Sequence, residues 1–283
     1  MKICDLHTHT KASDGSDSPL ELFVQAKGAG LSAIAVTDHD TVSGLEEAKA
    51  ASKETGVELV PGVELSVNFH KGNMHILGYY LDQQNSRFQE VLKRVQDARA
   101  HRNPKILALL EDLGLPVSMD ELEALAQGGQ IGRPHIARAM VEKGYVGSVS
   151  EAFDKYLKRG ARAYAPKSIL SPQEAIEVIR EAGGIPVLAH PFSLLPEGES
   201  ELESMVSDLK DGGLMGLECY YSEHDDSFTS MCLEIARRYQ LVITGGSDYH
   251  GKAKPHIMLG RGRGKLVIPY SCVEALKAAR AHV

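Results

Sequence analysis

Two short segments at opposite ends of the chain carry side chains that could bind a metal ion together. His7 and His9 are separated by one residue, and Asp248 and His250 repeat that spacing near the other end. In an extended segment, residues two apart point to the same side, so each pair can approach one ion. A single His-x-His pair is weak evidence for a metal site. The two pairs together indicate that the fold brings both ends of the chain to one metal centre.

Further potential ligands lie in or beside short apolar runs of the kind that form strands. In α/β barrels the functional groups collect at the carboxyl ends of the strands, so we expect these side chains to meet. The candidate metal ligands are six histidines and three carboxylates: His7, His9, Asp14, His39, Glu64, His75, His190, Asp248 and His250.

Nine ligands are more than one ion needs, since zinc commonly takes four and a catalytic site leaves one position open. The number therefore predicts two or three ions with a bridging carboxylate. A mixed histidine and carboxylate set without thiolate suits manganese, iron or zinc. Neighbouring ions can hold a hydroxide and stabilise a phosphoryl oxygen, which favours hydrolysis of phosphate esters. The sequence contains no nucleophile elbow, P-loop lysine motif or GxGxxG motif that offers a competing chemistry.

The composition narrows the class of protein. The 283 residues are enough for one large α/β barrel, and the net charge of −7 argues against a surface for duplex DNA. The four cysteines have no CxxC spacing and are typical of reduced, buried thiols. No apolar run approaches the ~20 residues that cross a bilayer, and the first residues do not resemble a signal peptide. We therefore expect a cytoplasmic protein that does not act at a membrane.

The strand-like runs alternate with helical patterns, which predicts an α/β fold with a mainly parallel sheet. Several helix starts are marked by a serine followed three residues later by glutamate, the pattern of a capping box. Ser18 and Ser171 show this pattern with proline at the next position, and Ser43 and Ser271 show it without proline.

The alternation stops between residues 81 and 164, where the pattern predicts only helices, including two that are separated at Pro104. We interpret residues 81–164 as a helical insertion into a barrel domain formed by residues 1–80 and 165–283. The insertion follows the run that begins near His75. It could therefore cap an edge of the barrel or cover the substrate at the metal centre.

These motifs resemble the PHP (polymerase and histidinol phosphatase) family. The resemblance spans about residues 1–80 and 165–250 and rests on His7-Thr8-His9, Thr37-Asp38-His39-Asp40, Glu64, His190-Pro191 and Ser247-Asp248-Tyr249-His250. It implies a distorted (β/α)7 barrel with a trinuclear metal site that hydrolyses phosphoesters by attack of a metal-held hydroxide.

The same resemblance implies how the ligands divide among the ions. The first ion would be held by His7, His9, Glu64 and Asp248. The second would be held by Asp14, His39 and His250, and the third by Glu64, His75 and His190. Glu64 and Asp248 would thereby be catalytic side chains. Asp14 stands where other branches of the family carry histidine, which leaves the second ion least determined.

Three segments narrow the resemblance to the branch of the family that acts on nucleotides. Residues 132–137, 164–167 and 223–224 are similar to segments of 3′,5′-nucleoside bisphosphate phosphatases and of relatives that trim RNA from its 5′ end. The resemblance therefore implies a nucleotide or a short RNA as substrate.

The likeness also implies that Arg133, Lys167 and His224 face substrate phosphate, with Arg133 and His224 close to the reaction, and that His135 lies beside them. The residues themselves leave other interpretations open. Arg133 could be a surface arginine before a helix, and Lys167 a solvated loop lysine. His224 could pair with acidic neighbours, and His135 could belong to the core.

We therefore predict a metal-dependent phosphoesterase that acts on 3′,5′-nucleoside bisphosphates, on the 5′ end of short RNA, or on both. One alternative is histidinol phosphate phosphatase, against which the helical insertion argues. The other is a non-catalytic metal-binding PHP module, which typically loses ligands, whereas this chain keeps a full set. The sequence gives no indication of protein partners.

Overall fold

The computed structural model describes residues 2–166 and 170–281 of the chain. Within them, seven strands form one sheet whose spatial order follows the order along the chain. The strands are β1 (Cys4–Asp5), β2 (Ala33–Val36), β3 (Glu58–Val67), β4 (Met74–Tyr79), β5 (Ile185–Leu188), β6 (Gly216–Tyr221) and β7 (Val242–Gly246). The helices are α1 (Pro19–Gly28), α2 (Leu45–Thr55), α3 (Ser86–Asp112), α4 (Met119–Ala126), α5 (Arg133–Glu142), α6 (Val149–Ala152), α7 (Pro172–Glu181), α8 (Glu199–Asp211), α9 (Asp226–Arg238) and α10 (Ser271–Arg280).

The sheet is nearly closed into a barrel because its first and last strands meet. The amide of Leu6 donates to the carbonyl of Gly245 at 3.0 Å, and the amide of Asp248 donates to the carbonyl of His7 at 2.9 Å. Adjacent strands are parallel, except that β4 is antiparallel to both β3 and β5. The predictions of an α/β fold and of a distorted seven-stranded barrel are confirmed.

The reversed direction of β4 decides which rim of the barrel His75 occupies. His75 is the second residue of β4 and pairs with Ser66 near the end of β3. Because β4 runs against its neighbours, its beginning lies beside their carboxyl ends. His75 therefore reaches the same rim as His190, which follows the end of β5.

Two of the predicted helix caps are confirmed and two are wrong. The hydroxyls of Ser18 and Ser171 accept the amide of the third following residue at 3.2 and 3.1 Å. By contrast, α2 begins after Gly44 and not after Ser43. Both the amide and the hydroxyl of Ser43 are hydrogen-bonded to the hydroxyl of Thr41. Ser271 is itself the first residue of α10. The carbonyl groups of the turn before it already accept the hydrogen bonds from the first amides of the helix.

The prediction of two helices separated at Pro104 is wrong, because α3 continues through this residue. Proline lacks an amide hydrogen and removes one intrahelical bond. Its ring is exposed here, and buried side chains continue on both sides of it, from Phe88 to Leu110. Packing on either side therefore keeps the helix continuous despite the missing bond.

The second half of α3 and the helices α4, α5 and α6 build a hydrophobic core of their own from residues 106–165. The first turns of α3, including Phe88 and Val95, pack instead into the core beside the sheet. Within the described residues no strand lies between β4 and β5. The insertion boundaries of 81 and 164 stay a prediction. None of the described helices is long and apolar enough to cross a membrane.

Candidate active site

His7 and His9 lie on an extended segment directly after β1. The amide of His9 donates to the carbonyl of Tyr249 at 2.8 Å, and the amide of Thr37 donates to the carbonyl of Thr8 at 3.0 Å. The segment is thereby held straight from both sides, so the two imidazoles point in the same direction. Both are fully buried.

The carboxylate of Glu64 is the centre of the cluster. Five imidazole nitrogens approach its two oxygens: His7 at 3.3 Å, His9 at 3.2 Å, His39 at 2.9 Å, His75 at 2.8 Å and His190 at 2.9 Å. The first three face Oε2 and the last two face Oε1. Elements that are distant in sequence therefore meet at one buried carboxylate.

Asp14 forms a second focus beside Glu64. Its Oδ1 lies 3.3 Å from Nε2 of His250 and 3.8 Å from Nδ1 of His9, and its Oδ2 lies 3.9 Å from Nε2 of His39. His9 and His39 thus present one ring nitrogen to each carboxylate. The two foci share these two rings and form one continuous centre.

The two carboxylate oxygens of Asp248 face different groups, one the ligand cluster and the other the cavity wall. Its Oδ1 lies 3.2 Å from Nε2 of His9 and 3.6 Å from Nε2 of His7. Its Oδ2 accepts hydrogen bonds from the hydroxyl of Tyr221 at 2.9 Å and from Nζ of Lys254 at 2.7 Å. The backbone of Asp248 has a φ of 57°, in the left-handed region that few non-glycine residues adopt.

The donor set fits divalent metal ions. Of the nine buried side-chain polar atoms without a hydrogen-bond partner among the described residues, five lie in this cluster: His7 Nε2, His9 Nδ1, His9 Nε2, His39 Nδ1 and Glu64 Oε2. Such burial is costly unless another partner is present. All five atoms belong to the predicted ligands, and a metal ion is the partner that accepts lone pairs from both imidazole and carboxylate.

The structure groups the nine predicted ligands in four overlapping sets, in each of which the ligand atoms lie within 4.8 Å of one another. The sets are His9–Asp14–His39–His250, His7–Glu64–His190, His7–His9–Asp248 and His39–Glu64–His75. These overlapping sets could hold more than one ion. They do not separate into the three groups implied by the family resemblance, so the division among ions stays a prediction.

The electrostatics keep the central carboxylate ionised. Burial alone raises the pKa of Glu64, but His39, His75 and His7 hold it well below its usual value. Burial lowers the pKa of His7, whereas the carboxylates of Glu218 and Glu64 raise it well above its usual value. The raised pKa of His7 therefore marks a position at which the neighbouring carboxylates favour a cation.

Glu218 is a functional residue that the sequence analysis missed. Its side chain is fully buried, with Oε1 3.0 Å from Nδ1 of His7, while Oε2 accepts the amide of His190 at 2.7 Å. This contact leaves Nε2 of His7 for the metal centre. Asp5 and Asp38 likewise accept backbone amides of ligand-bearing loops at 2.8 Å. The available signal was an acidic residue inside the apolar strand β6.

A cavity of about 710 Å³ opens beside the ligands and extends toward the helical insertion. Its wall contains six cationic side chains, which are Arg99, Arg102, Arg133, Lys158, Arg159 and Lys254. The chain as a whole carries a net charge of −7. The cavity is therefore a local concentration of positive charge, which suits an anionic substrate.

Two arginines of this wall, Arg99 and Arg102, were also missed. Arg99 is engaged, because its Nε donates to Asp40 at 2.7 Å and its NH2 donates to Ser66 at 3.0 Å. Arg102 is only 4% exposed, and its Nε has no partner among the described residues. Burial, together with the positive charges of Arg99 and Arg133, lowers the pKa of Arg102. An anion in the cavity would relieve this unfavourable charge.

Two of the predicted substrate residues lie at the start of α5. Arg133 lines the cavity, donates to the carbonyl of Leu157 at 3.1 Å and places its guanidinium 5.7 Å from the ring centre of Phe153. His135 is buried, accepts the amide of Gly132 at 3.1 Å and is not among the cavity-lining residues.

The other two predicted substrate residues lie elsewhere. Nδ1 of His224 donates to the carbonyl of Cys219 at 2.9 Å, and its ring packs near Tyr221 and Phe192. His224 does not belong to the described cavity wall, and its Nε2 has no partner there. Lys167 lies outside the described residues. The substrate roles of these residues, and of Arg133 and His135, stay predictions.

A nearly closed α/β barrel that gathers histidines and carboxylates at one rim, beside a cationic cavity, defines a metal-dependent hydrolase of phosphoric esters. The PHP domain model matches residues 5–175, and the chain belongs to this family. The predicted family and the prediction of an enzyme are therefore confirmed.

Three relatives share about a third of their residues with the chain. A 5′-3′ exoribonuclease of Haemophilus influenzae is 35% identical, over 88% of this chain and 90% of the relative. A 3′,5′-nucleoside bisphosphate phosphatase of Chromobacterium violaceum is 32% identical, over 88% of each. A phosphoribosyl 1,2-cyclic phosphate 1,2-diphosphodiesterase of Eggerthella lenta is 31% identical, over 90% of this chain and 97% of the relative.

A solved structure shows the same fold. The crystal structure of a candidate metal-dependent phosphoesterase from Bifidobacterium adolescentis has a TM-score of 0.86 and is 31% identical, and the alignment covers 99% of this chain and 96% of that one. The names of these relatives agree on phosphoester hydrolysis and differ in the substrate.

Proposed function

We propose that the protein hydrolyses nucleotide phosphate esters, either 3′,5′-nucleoside bisphosphates or the 5′ end of short RNA. The observation that carries the proposal is the cavity, which joins the ligand cluster to a wall of six cationic side chains. A substrate that extends through this space has one phosphate at the metal centre and a second negative charge near the arginines. Nucleoside bisphosphates and 5′-phosphorylated RNA both have this distribution of charge.

At the reacting end, the chain supplies an ordered set of ligands. We propose two or three divalent ions, with manganese as the first choice and iron and zinc as the other metals that the mixed donor set suits. When bound, such ions polarise a phosphoryl oxygen and lower the pKa of water. Glu64 connects the ligands of both foci, and Glu218 orients His7. All nine residues belong to the overlapping sets at one rim of the barrel, which supports their assignment as ligands.

At the distant end, the second phosphate needs cationic partners, because an unpaired anion in a partly dry cavity is costly. Arg133 offers a planar fork for two phosphate oxygens, and Arg102 offers a buried Nε without a described partner. We assign these two side chains to the distant phosphate. Lys167 and His224 are proposed as further contacts, and His135 as a support for the turn before Arg133.

The names of two relatives, an exoribonuclease and a nucleoside bisphosphate phosphatase, support a nucleotide substrate. The cationic wall argues against histidinol phosphate, because its positively charged amine would face several guanidinium groups. The non-catalytic alternative is disfavoured by the complete ligand set. The four cysteines are buried and free, which fits the reducing cytoplasm as the proposed location.

A substrate panel tests the proposal. Protein loaded with Mn²⁺ is offered nucleoside 3′,5′-bisphosphates, 5′-phosphorylated oligoribonucleotides, a ribose cyclic phosphate, histidinol phosphate and an aryl phosphate, and released phosphate or nucleotide is measured. The highest kcat/KM is expected for one of the first two classes. A preference for histidinol phosphate or the cyclic phosphate would contradict the proposed substrate class. Absence of hydrolysis of every substrate would contradict the catalytic proposal itself.

A further inference from the structure

Lys254 is the cavity-lining cation that contacts the ligand cluster directly. It follows His250 after a short 3-10 turn, and its half-buried side chain lines the cavity. Its Nζ donates to Oδ2 of Asp248 at 2.7 Å. The other oxygen of Asp248 faces His9 and His7. The ammonium group of Lys254 is therefore separated from the ligand centre by a single carboxylate.

The cations of the cavity wall fall into two sets. Arg102 interacts with Arg99 and Arg133 on the helices that follow β4. Lys254 interacts instead with three carboxylates of the ligand cluster, Asp248, Asp14 and Glu64. Lys254 therefore places its ammonium group at the reacting end of the cavity, away from the arginine set.

The ammonium group of Lys254 can donate more hydrogen bonds than it makes to side chains among the described residues. A lysine ammonium has three hydrogen-bond donors, and within the described residues Asp248 is the one side-chain acceptor that Lys254 contacts. Two donors are thus available to a group that enters the cavity. Tyr221 holds the same oxygen of Asp248 at 2.9 Å, so the orientation of this carboxylate does not depend on Lys254 alone.

We propose that Lys254 donates a charge-assisted hydrogen bond to a nonbridging oxygen of the phosphoryl group that is hydrolysed. This inference rests on the proposed phosphoesterase function and adds a catalytic residue to it. In the reaction, a water oxygen forms the new bond to phosphorus, and the ester oxygen leaves with one of the protons of that water. Lys254 keeps its own proton and stabilises the negative charge that accumulates on the phosphoryl oxygens.

The test compares four variants at saturating Mn²⁺. Lys254→Met removes the charge and keeps the length of the side chain, and Lys254→Arg restores a charge. Tyr221→Phe removes the other hydrogen bond to the same oxygen of Asp248. Lys252→Met is the matched control, because Lys252 is exposed on the same turn and outside the cavity wall. The measurements are kcat and KM, metal content, and binding of inorganic phosphate to the loaded protein by calorimetry.

We expect Lys254→Met to lower kcat/KM by on the order of 10²-fold, and to do so for an aryl phosphate as much as for a nucleotide. Binding of inorganic phosphate should weaken by about tenfold, the loss of roughly one charge-assisted hydrogen bond. Lys254→Arg should recover part of kcat/KM and part of the affinity for inorganic phosphate. Lys252→Met should retain the wild-type values of both quantities. Tyr221→Phe should change the metal content more than the affinity for phosphate.

Two results would overturn the inference. One is a Lys254→Met variant that keeps kcat/KM and phosphate affinity within about threefold of wild type, where one hydrogen bond predicts a larger loss. The other is an equal loss in Lys254→Met and Tyr221→Phe that added Mn²⁺ reverses, which would make Lys254 a positioning residue for Asp248. If the wild-type protein hydrolyses no phosphoester, the proposed function fails. The phosphate-binding comparison still decides whether Lys254 contacts phosphate.

Discussion

At the scale of single residues, the centre is built around a carboxylate that would be unstable in isolation. Glu64 is fully buried, and such a group becomes neutral unless opposite charges or hydrogen bonds hold its ionised form. Five imidazoles surround it and supply that compensation. The ring nitrogens that face Glu64 are the atoms that a bound cation would take as ligands. Glu64 therefore contacts more of the predicted ligands than Asp14 or Asp248 does.

Replacing Glu64 by glutamine should abolish most activity. The change removes one charge that faces ligands of both foci, while the volume of the side chain is kept. We expect kcat to fall by on the order of 10³-fold or more. Asp14→Ala should reduce kcat less, because Asp14 makes the longer contacts of 3.3–3.9 Å. Steady-state kinetics on folded variants checks this order, and equal losses would contradict it.

Glu218→Gln should weaken metal binding without removing a ligand. The amide keeps a hydrogen bond to His7 but loses the charge that raises the pKa of this histidine. Loss of an outer partner of a metal-bound histidine typically costs about 10–100-fold in metal affinity, and we expect this range for Mn²⁺. Glu223→Gln is the control, since Glu223 pairs with Arg263 at the surface. Calorimetric titration of the metal-free protein with Mn²⁺ measures this affinity. An unchanged affinity for Mn²⁺ in Glu218→Gln would refute the proposal that Glu218 orients His7.

Arg133→Ala should distinguish substrates by their second phosphate. We expect kcat/KM for a nucleoside bisphosphate or 5′-phosphorylated RNA to fall by about 10²-fold, roughly 1.5–3 kcal/mol for a charge-assisted hydrogen bond. An aryl phosphate has no second phosphate and should lose much less. Arg138→Ala, on the same helix but outside the cavity wall, controls for general effects on α5. Equal losses on both substrates would mean that Arg133 serves the reaction centre or the fold.

The metal ligands could be predicted from the sequence because their signals are local. His7 and His9 form a pair at a spacing of two, and His190 follows an apolar run. Glu218 has no such spacing, since its contact with His7 joins residues 211 positions apart. Lys254 lies only six positions after Asp248, but no motif marks a lysine there. Arg102 could have been found, because it occupies a position in the buried stripe of α3 where an apolar residue would be expected.

At the scale of elements, the direction of one strand and the continuity of one helix determine the shape of the site. Reversal of β4 places His75 at the rim that the parallel strands share. Alternating apolar patterns identify strands but not their direction, so the reversal was not predictable. The unbroken α3 joins the core beside the sheet to the core of the insertion, and it carries Arg99 and Arg102 between them.

Pro104→Ala should stabilise the protein. Alanine is about 3 kcal/mol better than proline inside a helix, and the greater freedom of the unfolded chain offsets about 1 kcal/mol of this gain. The ring of Pro104 is exposed, so little packing is lost. We expect Tm to rise by roughly 2–5 °C for a chain of this size. Lys105→Ala, also exposed on α3, is the control. A fall in Tm would show that α3 requires the proline to place its buried arginines.

At the scale of the whole molecule, the metal centre joins the two ends of the chain to its middle. His7 and Asp248 meet beside Glu64, although they are far apart in sequence. Ions bound there connect segments that separate on unfolding, so their binding energy adds to the stability of the fold. Removal of metal should therefore lower Tm. The size of this effect should depend on pH, because protons and metal ions compete for the same imidazoles.

The groups that govern this competition near neutral pH are His7 and His9. Burial lowers the pKa of His9, but Asp248 and Glu64 raise it to about 9, and the pKa of His7 is also raised. A histidine whose pKa is higher in the folded than in the unfolded state stabilises the fold at pH values below its unfolded pKa of about 6.5. This stabilisation is lost as the pH rises through the pKa of the folded state. The carboxylates, with lowered pKa values, stay ionised across this range and contribute equally throughout.

The metal-free protein should consequently lose stability between pH 6.5 and 8.5, whereas the Mn²⁺-loaded protein should not, since an ion replaces the protons. The difference in Tm between loaded and chelator-treated protein should therefore widen as pH rises. Thermal unfolding with Mn²⁺ or EDTA at several pH values measures this difference. In the His9→Gln variant, the difference in Tm should increase less with pH than in the wild-type protein. In the control His256→Gln, which changes an exposed histidine, it should increase as in the wild-type protein. A constant difference in the wild-type protein would mean that metal binding displaces no protons from His7 and His9, which would contradict their assignment as ligands.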